Sequence, residues 1–215
     1  MKFWLKIFRL FIGLFIVSFG ITMTINANIG LPPWDVLHIG ITKIVDITMG
    51  QAIISVSILL TILSMLLREK VGIGTIANMF FIGILIDMIN SMNIVPKPDN
   101  FLLGFIMLNV GLVIFAIGTA IYISCELGCG SKDGLTMAIS RITNHPVKYI
   151  RATLEICAVI IGIIMGGNFN LGTIYSALVF GYFMQISFKL LKFDAIGLRH
   201  MSIKDMFENI YSKNY

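Results

Sequence analysis

Gly13-Leu14-Phe15-Ile16-Val17-Ser18-Phe19-Gly20 returns 98 residues later as Gly111-Leu112-Val113-Ile114-Phe115-Ala116-Ile117-Gly118. The same shift, with no gap, carries residues 13 to 83 onto 111 to 181. Gly30, Asp35, Leu37, Gly74, Thr75, Ile76 and Gly83 fall on Gly128, Asp133, Leu135, Gly172, Thr173, Ile174 and Gly181. Leucines and isoleucines recur by chance in an apolar chain. Glycines, an aspartate and a Gly-Thr pair in one frame do not, so the chain reads as two copies of one unit.

Each unit is built for lipid. Hydrophobic residues make up 57% of the 215, charged ones 13%, and the mean hydropathy is +0.92, which excludes a water-soluble domain. Apolar stretches long enough to cross about 30 Å of hydrocarbon occur near 8 to 28, 51 to 67 and 73 to 92. The second copy supplies 102 to 124, 149 to 166 and 171 to 188. The first stretch follows Lys2, Lys6 and Arg9 as a secretory signal would, but it is too long and no small-residue cleavage site follows it. An all-α polytopic membrane protein of six transmembrane helices is expected, with a first repeat over 1–98, a second over 99–190 and a tail over 191–215.

Cations retained on the cytoplasmic side set the orientation. With the N-terminus inside, all 16 Lys and Arg residues except Lys43 and Lys97 lie at the cytoplasmic face. Both chain ends are then cytoplasmic, in the inner membrane of a bacterial cell. Topology accounts for the net charge of +5, and no basic face with interleaved aromatics points to nucleic acid. Three spans per copy is an odd number, so the copies must be inverted, an arrangement in which many transporters place a site between repeats.

After the first span of each copy comes an elbow: Asn28-Ile29-Gly30-Leu31-Pro32-Pro33-Trp34-Asp35, and Glu126-Leu127-Gly128-Cys129-Gly130-Ser131-Lys132-Asp133-Gly134. Glycine and proline end one helix there, and a stretch too short to span follows, Val36 to Ile47 or Leu135 to Thr143. His38, Thr42, Lys43 and Asp46 mark a polar side of the first, which predicts an interfacial or re-entrant half helix. Asp35 and Asp133 fall near the N-termini of these half helices, where a carboxylate satisfies the helix dipole with or without a ligand. A substrate or ion contact is the functional alternative. Inversion puts the elbows on opposite faces, which predicts two symmetric gates rather than one shared site.

Gly74-Thr75 and Gly172-Thr173 precede the third span of each copy and are expected to turn the chain and cap that helix, with Thr75 and Thr173 as N-caps. Ala77, Gly83, Ser176, Ala177 and Gly181 predict a close seam between halves along the third helices. Charges within spans cost at least roughly 2.5 kcal/mol and should face protein or water. Arg151 and Glu155, four apart, qualify either as an ion pair or as ligand contacts; Asp87, whose counterpart is Gln185, qualifies as cavity-lining or interfacial. Cys125, Cys129 and Cys157 come with no histidine cluster and read as packing residues, and no acid, base and nucleophile set for an enzyme, metal site or cofactor motif presents itself. In the tail, Ser202 and Asp205 suggest a capped helix with Ile203, Met206, Phe207 and Ile210 as its apolar stripe.

The elbow Gly30, Leu31, Pro32, Pro33, Trp34, Asp35 resembles the Gly-x-x-Pro-Trp-Asp elbow of the YczE and YitT type bacterial integral membrane proteins. The likeness continues through Gly134 and Leu135, Arg151 and Glu155, Gly166 and Gly167, and Gly172-Thr173. Copy one departs from it, with Ile53 and Ser57 where copy two has Arg151 and Glu155. The resemblance implies the membrane fold and no particular reaction. The function expected from the sequence is a permease for a small solute, with Trp34, Asp35, Asp87, Asp133, Arg151 and Glu155 as substrate or ion contacts. The alternative is an accessory or ligand-binding membrane protein without transport. The expected surroundings are the lipid bilayer and a small-molecule substrate, with room for a homo-oligomer or a partner membrane protein.

Overall fold

The computed structural model describes residues 3 to 192, among which there are eight helices and no strand. The first half holds α1 (Phe3–Asn26), α2 (Pro33–Ile44), α3 (Met49–Leu66) and α4 (Ile73–Ser91). The second holds α5 (Phe101–Ile123), α6 (Ser131–Thr143), α7 (Val147–Ile164) and α8 (Leu171–Leu190). The expected tail helix around Ser202 and Asp205 lies outside the described residues. Five helices, α1, α3, α4, α5 and α8, are long and apolar enough to cross a membrane. The remaining expected span, α7, has 18 residues but carries Lys148, Arg151 and Glu155 in its first half, and it falls outside that group. The chain is thus an all-helical, polytopic membrane protein.

Local chemistry sets the helix starts. At α3, Thr48 and Gln51 form a reciprocal box, with the Gln51 amide donating to Thr48 Oγ1 at 3.1 Å and the Thr48 amide to Gln51 Oε1 at 3.0 Å. Asn100 Oδ1 accepts from the Leu103 amide at 2.9 Å to begin α5. The half helices α2 and α6 begin earlier than the hydrophobic pattern suggested. Pro33 needs no amide partner at the first position of α2 and already has a helical φ.

Helices α1 and α5 run antiparallel in the middle of the protein, and their backbones touch. A Cβ on Gly20 would lie 2.5 Å from the Phe115 amide nitrogen and 2.8 Å from Gly111 O, and one on Gly118 would lie 2.6 Å from the Val17 nitrogen and 2.9 Å from Gly13 O. The contact is reciprocal: Gly13 meets Gly118, and Gly20, the counterpart of Gly118, meets Gly111, the counterpart of Gly13. The expectation that α4 and α8 form the seam between halves is therefore corrected. Glycines seven apart strip one face of α1 and of α5, and that is where the halves join. Around this axis α2 packs on α7 and α3 on α6, so each half helix lies against the other half, while α1 packs on α4 and α5 on α8.

The half helices are also tied at their far ends. Lys43 Nζ donates to Gly166 O at 2.6 Å, just past α7. Its counterpart Arg141 donates to Leu67 O at 2.8 Å, just past α3, and pairs with Glu69 at 2.8 Å. Each cation thus holds carbonyls at the negative end of a long helix from the opposite half.

One relationship is not shared. In the first half α3 packs along α4, with Gly50 and Gly83 in backbone contact. Asp87 completes that seam, accepting from Gly50 N at 2.8 Å and from the Thr48 hydroxyl. No such seam joins α7 to α8, and Gly181, the counterpart of Gly83, has open space beside it. Lys148 occupies the position that Gly50 holds in the first half, so the same close approach would drive a long side chain into α8.

Gly20→Ala is expected to lower the melting temperature of the detergent-solubilised protein by several degrees, because the methyl group meets backbone that cannot move aside. Gly181→Ala is the control, expected to leave it unchanged or raise it slightly, since the space is open and alanine favours the helix.

Candidate functional site

Each half presents a broken backbone to the other. Gly30 and Gly128 have φ of +141° and +137°, conformations that a side chain would strain, and Asn28 and Glu126 are left-handed at +55° and +59°. Within these bends the carbonyls are free to point across the interface. Leu127 O accepts from Gly74 N at 2.8 Å and Ile29 O accepts from Gly172 N at 3.2 Å, so each elbow binds the Gly-Thr loop of the opposite half. Thr173 Oγ1 accepts from the Leu31 amide at 3.2 Å as well as from Asn170 N at 3.4 Å, and Thr75 Oγ1 accepts from Gly72 N at 3.4 Å. Thr75 and Thr173 are accordingly not the N-caps expected of them. The caps are Gly72 and Asn170, and the threonines stand in the first turn with their hydroxyls reaching back.

Behind the elbows lies one cavity of about 120 Å³, to which all eight helices contribute. Its wall is composed of counterparts. Pro33 at the start of α2 faces in with Ser131 at the start of α6, and Asp35 with Asp133. Both half helices therefore dip far enough to share a single chamber. This corrects the expectation of two separate gates, which assumed elbows lying flat at opposite faces.

The paired positions differ in chemistry. Where the first half gives Trp34, Ile53 and Ser57, the second gives Lys132, Arg151 and Glu155. Arg151 is held between two carboxylates, its Nε 3.1 Å from Glu155 Oε1 and its Nη1 3.7 Å from Asp133 Oδ1. Lys132 Nζ sits 5.1 Å from the centre of the Trp34 ring, a cation–π contact. His38 Nδ1 donates to Asp35 Oδ1 at 3.1 Å, both side chains being buried. Tyr122 Oη lies against Gly130 at the second elbow. The second half thus brings a charge network to the chamber, where the first brings uncharged residues beside an Asp-His pair.

Access follows from the missing seam. Ile53 and Ser57 are buried under α4, but the Arg151 side chain is 47% exposed, and Ala177 across from it on α8 is exposed too. The cavity opens where α7 and α8 stand apart.

Five of the six residues singled out as substrate or ion contacts, Trp34, Asp35, Asp133, Arg151 and Glu155, line this chamber. Asp87 does not; its carboxylate is engaged at the start of α3. Among the lining residues that were not singled out as contacts are His38, Lys132 and Thr119. His38 reads in the sequence as part of a polar outer face, yet it is fully buried. Its spacing three after Asp35 at a helix start was the available signal. Lys132 reads as one more cytoplasmic cation, and its register with Trp34 was the signal there. Thr119 carries none, being one hydroxyl in an apolar run. Among the described residues no three His, Cys, Asp or Glu side chains are grouped so as to hold a metal ion.

Residues 4–189 match a family described as a family of unknown function, DUF6198. The Bacillus subtilis protein named "uncharacterized membrane protein YczE" is 32% identical over 179 residues, 82% of this chain and 82% of its own length. An uncharacterized Haemophilus influenzae protein is 27% identical over 82% of this chain and 80% of its own. The B. subtilis protein YyaS, also named uncharacterized, is 27% identical over 81% and 88% respectively. No solved structure matches the chain. The chain belongs to this family, and it is a membrane protein.

Gly30→Ala is expected to destabilise the fold by more than Gly166→Ala. Its Cβ would lie 2.5 Å from Thr173 N at φ +141°, whereas at Gly166 the nearest atom is the flexible Lys43 side chain at 3.6 Å. Thermal melts of the two variants in the same detergent check the order.

Proposed function

We propose that this member of the family is a six-span carrier built from two inverted repeats, 1–98 and 99–190, that moves a small solute through the chamber between them. The N- and C-termini are cytoplasmic, in the inner membrane of a bacterium. The observation that carries the proposal is the combination of a charged internal chamber on the axis relating the halves with a seam closed in one half and open in the other. A rigid receptor has no use for that difference. In a carrier it is one of two states, and exchanging the conformations of the halves closes α7 on α8 and opens α3 from α4.

Reciprocity supports the inverted arrangement. The contacts Gly13–Gly118 and Gly20–Gly111 and the elbow bonds from Gly74 and Gly172 exchange partners under the 98-residue shift, and the latches of Lys43 and Arg141 do so to within one residue. Antiparallel α1 and α5 are what such an axis requires. For α7 to be the sixth span, Arg151 and Glu155 must face the chamber rather than lipid, and both line it. Trp34, Asp35, Asp133, Arg151 and Glu155 are then the substrate and ion contacts. Asp87 serves instead to lock and release the α3–α4 seam.

The main alternative is an accessory or ligand-binding membrane protein that transports nothing, and motion separates the two. In a background with Cys125, Cys129 and Cys157 replaced by serine, Lys148→Cys combined with Gly181→Cys places thiols at the positions where Gly50 and Gly83 meet. Oxidation in native membranes is expected to cross-link them, because a carrier visits the closed α7–α8 state. Absence of cross-linking under conditions that oxidise a control pair would favour the accessory reading. Tags on the two chain ends are expected to be protected together in right-side-out vesicles; ends on different sides would remove the six-span arrangement.

A further inference from the structure

Among the described residues, two buried side-chain polar atoms have no hydrogen-bond partner: His38 Nε2 and Thr119 Oγ1. Both residues line the central chamber, His38 with 0% and Thr119 with 7% of its surface exposed. They come from different halves of the chain, and an unmet polar atom in a low-dielectric interior is costly. Because His38 Nδ1 spends its proton on the Asp35 carboxylate, the neutral ring leaves Nε2 as an acceptor. The threonine hydroxyl accepts equally well. An acceptor nitrogen and a hydroxyl thus lack partners in this chamber, and a donor can serve both.

Lys132, in the same chamber, calls for an acceptor. Arg151 is satisfied by Asp133 and Glu155, but among the described residues no carboxylate lies within ion-pair distance of Lys132 Nζ, which rests on the Trp34 ring. Lys132 is the second residue of α6, so its ammonium adds to the positive end of that helix.

Overall charge sets a further condition. Asp35, Asp133 and Glu155 against Lys132 and Arg151 leave one negative charge, which the two half-helix N-termini, at about half a positive charge each, offset. A chamber balanced in this way favours no ligand with a net charge. Size narrows the choice. Against roughly 150 Å³ for a cavity that holds benzene, the 120 Å³ here accommodates about half a dozen non-hydrogen atoms.

We infer that the chamber between the two half helices binds a small zwitterion, an amino acid of about the size of glycine or alanine, with its ammonium donating to His38 Nε2 and Thr119 Oγ1 and its carboxylate on Lys132. The ammonium also gains the aromatic faces of Phe115 and Phe180, which line the same side as Thr119. A simple carboxylate can accept from the Thr119 hydroxyl but leaves His38 Nε2 unmet, and a simple amine brings a cation towards Lys132. This inference rests on the carrier reading only for the claim that the ligand is moved, not for the claim that it binds.

The test is binding to the purified full chain in detergent, followed by thermal shift and calorimetry with glycine, L-alanine, acetate, L-lactate and ethylamine at neutral pH. Glycine or L-alanine is expected to raise the melting temperature, and the other three to leave it unchanged at equal concentration. Thr119→Val, close to isosteric, is expected to weaken glycine binding about tenfold, and Thr119→Ser to restore it. Lys132→Gln is expected to weaken it further. Binding of acetate, lactate or ethylamine in preference to the amino acids, or of none of the five, would overturn the inference, as would undiminished glycine binding by Thr119→Val. Proteoliposome uptake separates this from the carrier proposal. A bound amino acid that is never taken up removes transport and keeps the ligand, whereas uptake of acetate, lactate or ethylamine alone keeps transport and removes the ligand.

Discussion

Everything in this protein is arranged around the approach of two antiparallel helices at four glycines. In a membrane no hydrophobic drive pushes apolar helices together, since lipid tails are as apolar as leucine, so contact depends on how closely backbones can come. Gly13 and Gly20 on α1 and Gly111 and Gly118 on α5 remove the side chains that would hold the axes apart. With α1 and α5 drawn together, each elbow reaches the Gly-Thr loop of the other half, and backbone that a bilayer would not tolerate is satisfied across the interface. The chamber is what remains between the elbows.

Its polar content is confined in a way that follows from that construction. Half helices that end inside protein can aim their N-termini at an enclosed space, and carboxylates in their first turns balance them. Divergence between the halves then separates the walls. Ile53 and Ser57 leave the lining uncharged, while Arg151 and Glu155 at the matching positions bring charge, held in place by each other and by Asp133.

The repeat and the helix order were legible in the sequence because glycine and the Gly-Thr pair are rare signals against a background of leucine and isoleucine. Six of the eight helices announced themselves by length, and the two half helices by Pro33 and by the glycines around Ser131. The central seam was misread. Glycines within α1 and α5 looked like markers of the repeat rather than contacts, and the small residues of α4 and α8 looked equivalent, although Gly83 meets Gly50 and Gly181 meets nothing. Trp34, Asp35, Asp133, Arg151 and Glu155 could be picked out as charges or aromatics where lipid disfavours them. His38 offered only its spacing three after Asp35, because its burial depends on how α2 packs against the other half, which is a tertiary property.

The latches at Lys43 and Arg141 have a mechanical meaning. Each short helix is fastened to the other half at both of its ends, by the elbow at one and by a cation on helix-end carbonyls at the other. A short helix is thereby coupled to the end of the long one it grips, and its inner tip carries Asp35 or Asp133. The far end of an 18-residue helix, about 27 Å from its start by the rise per residue, is thus linked to those carboxylates through an unbroken short helix.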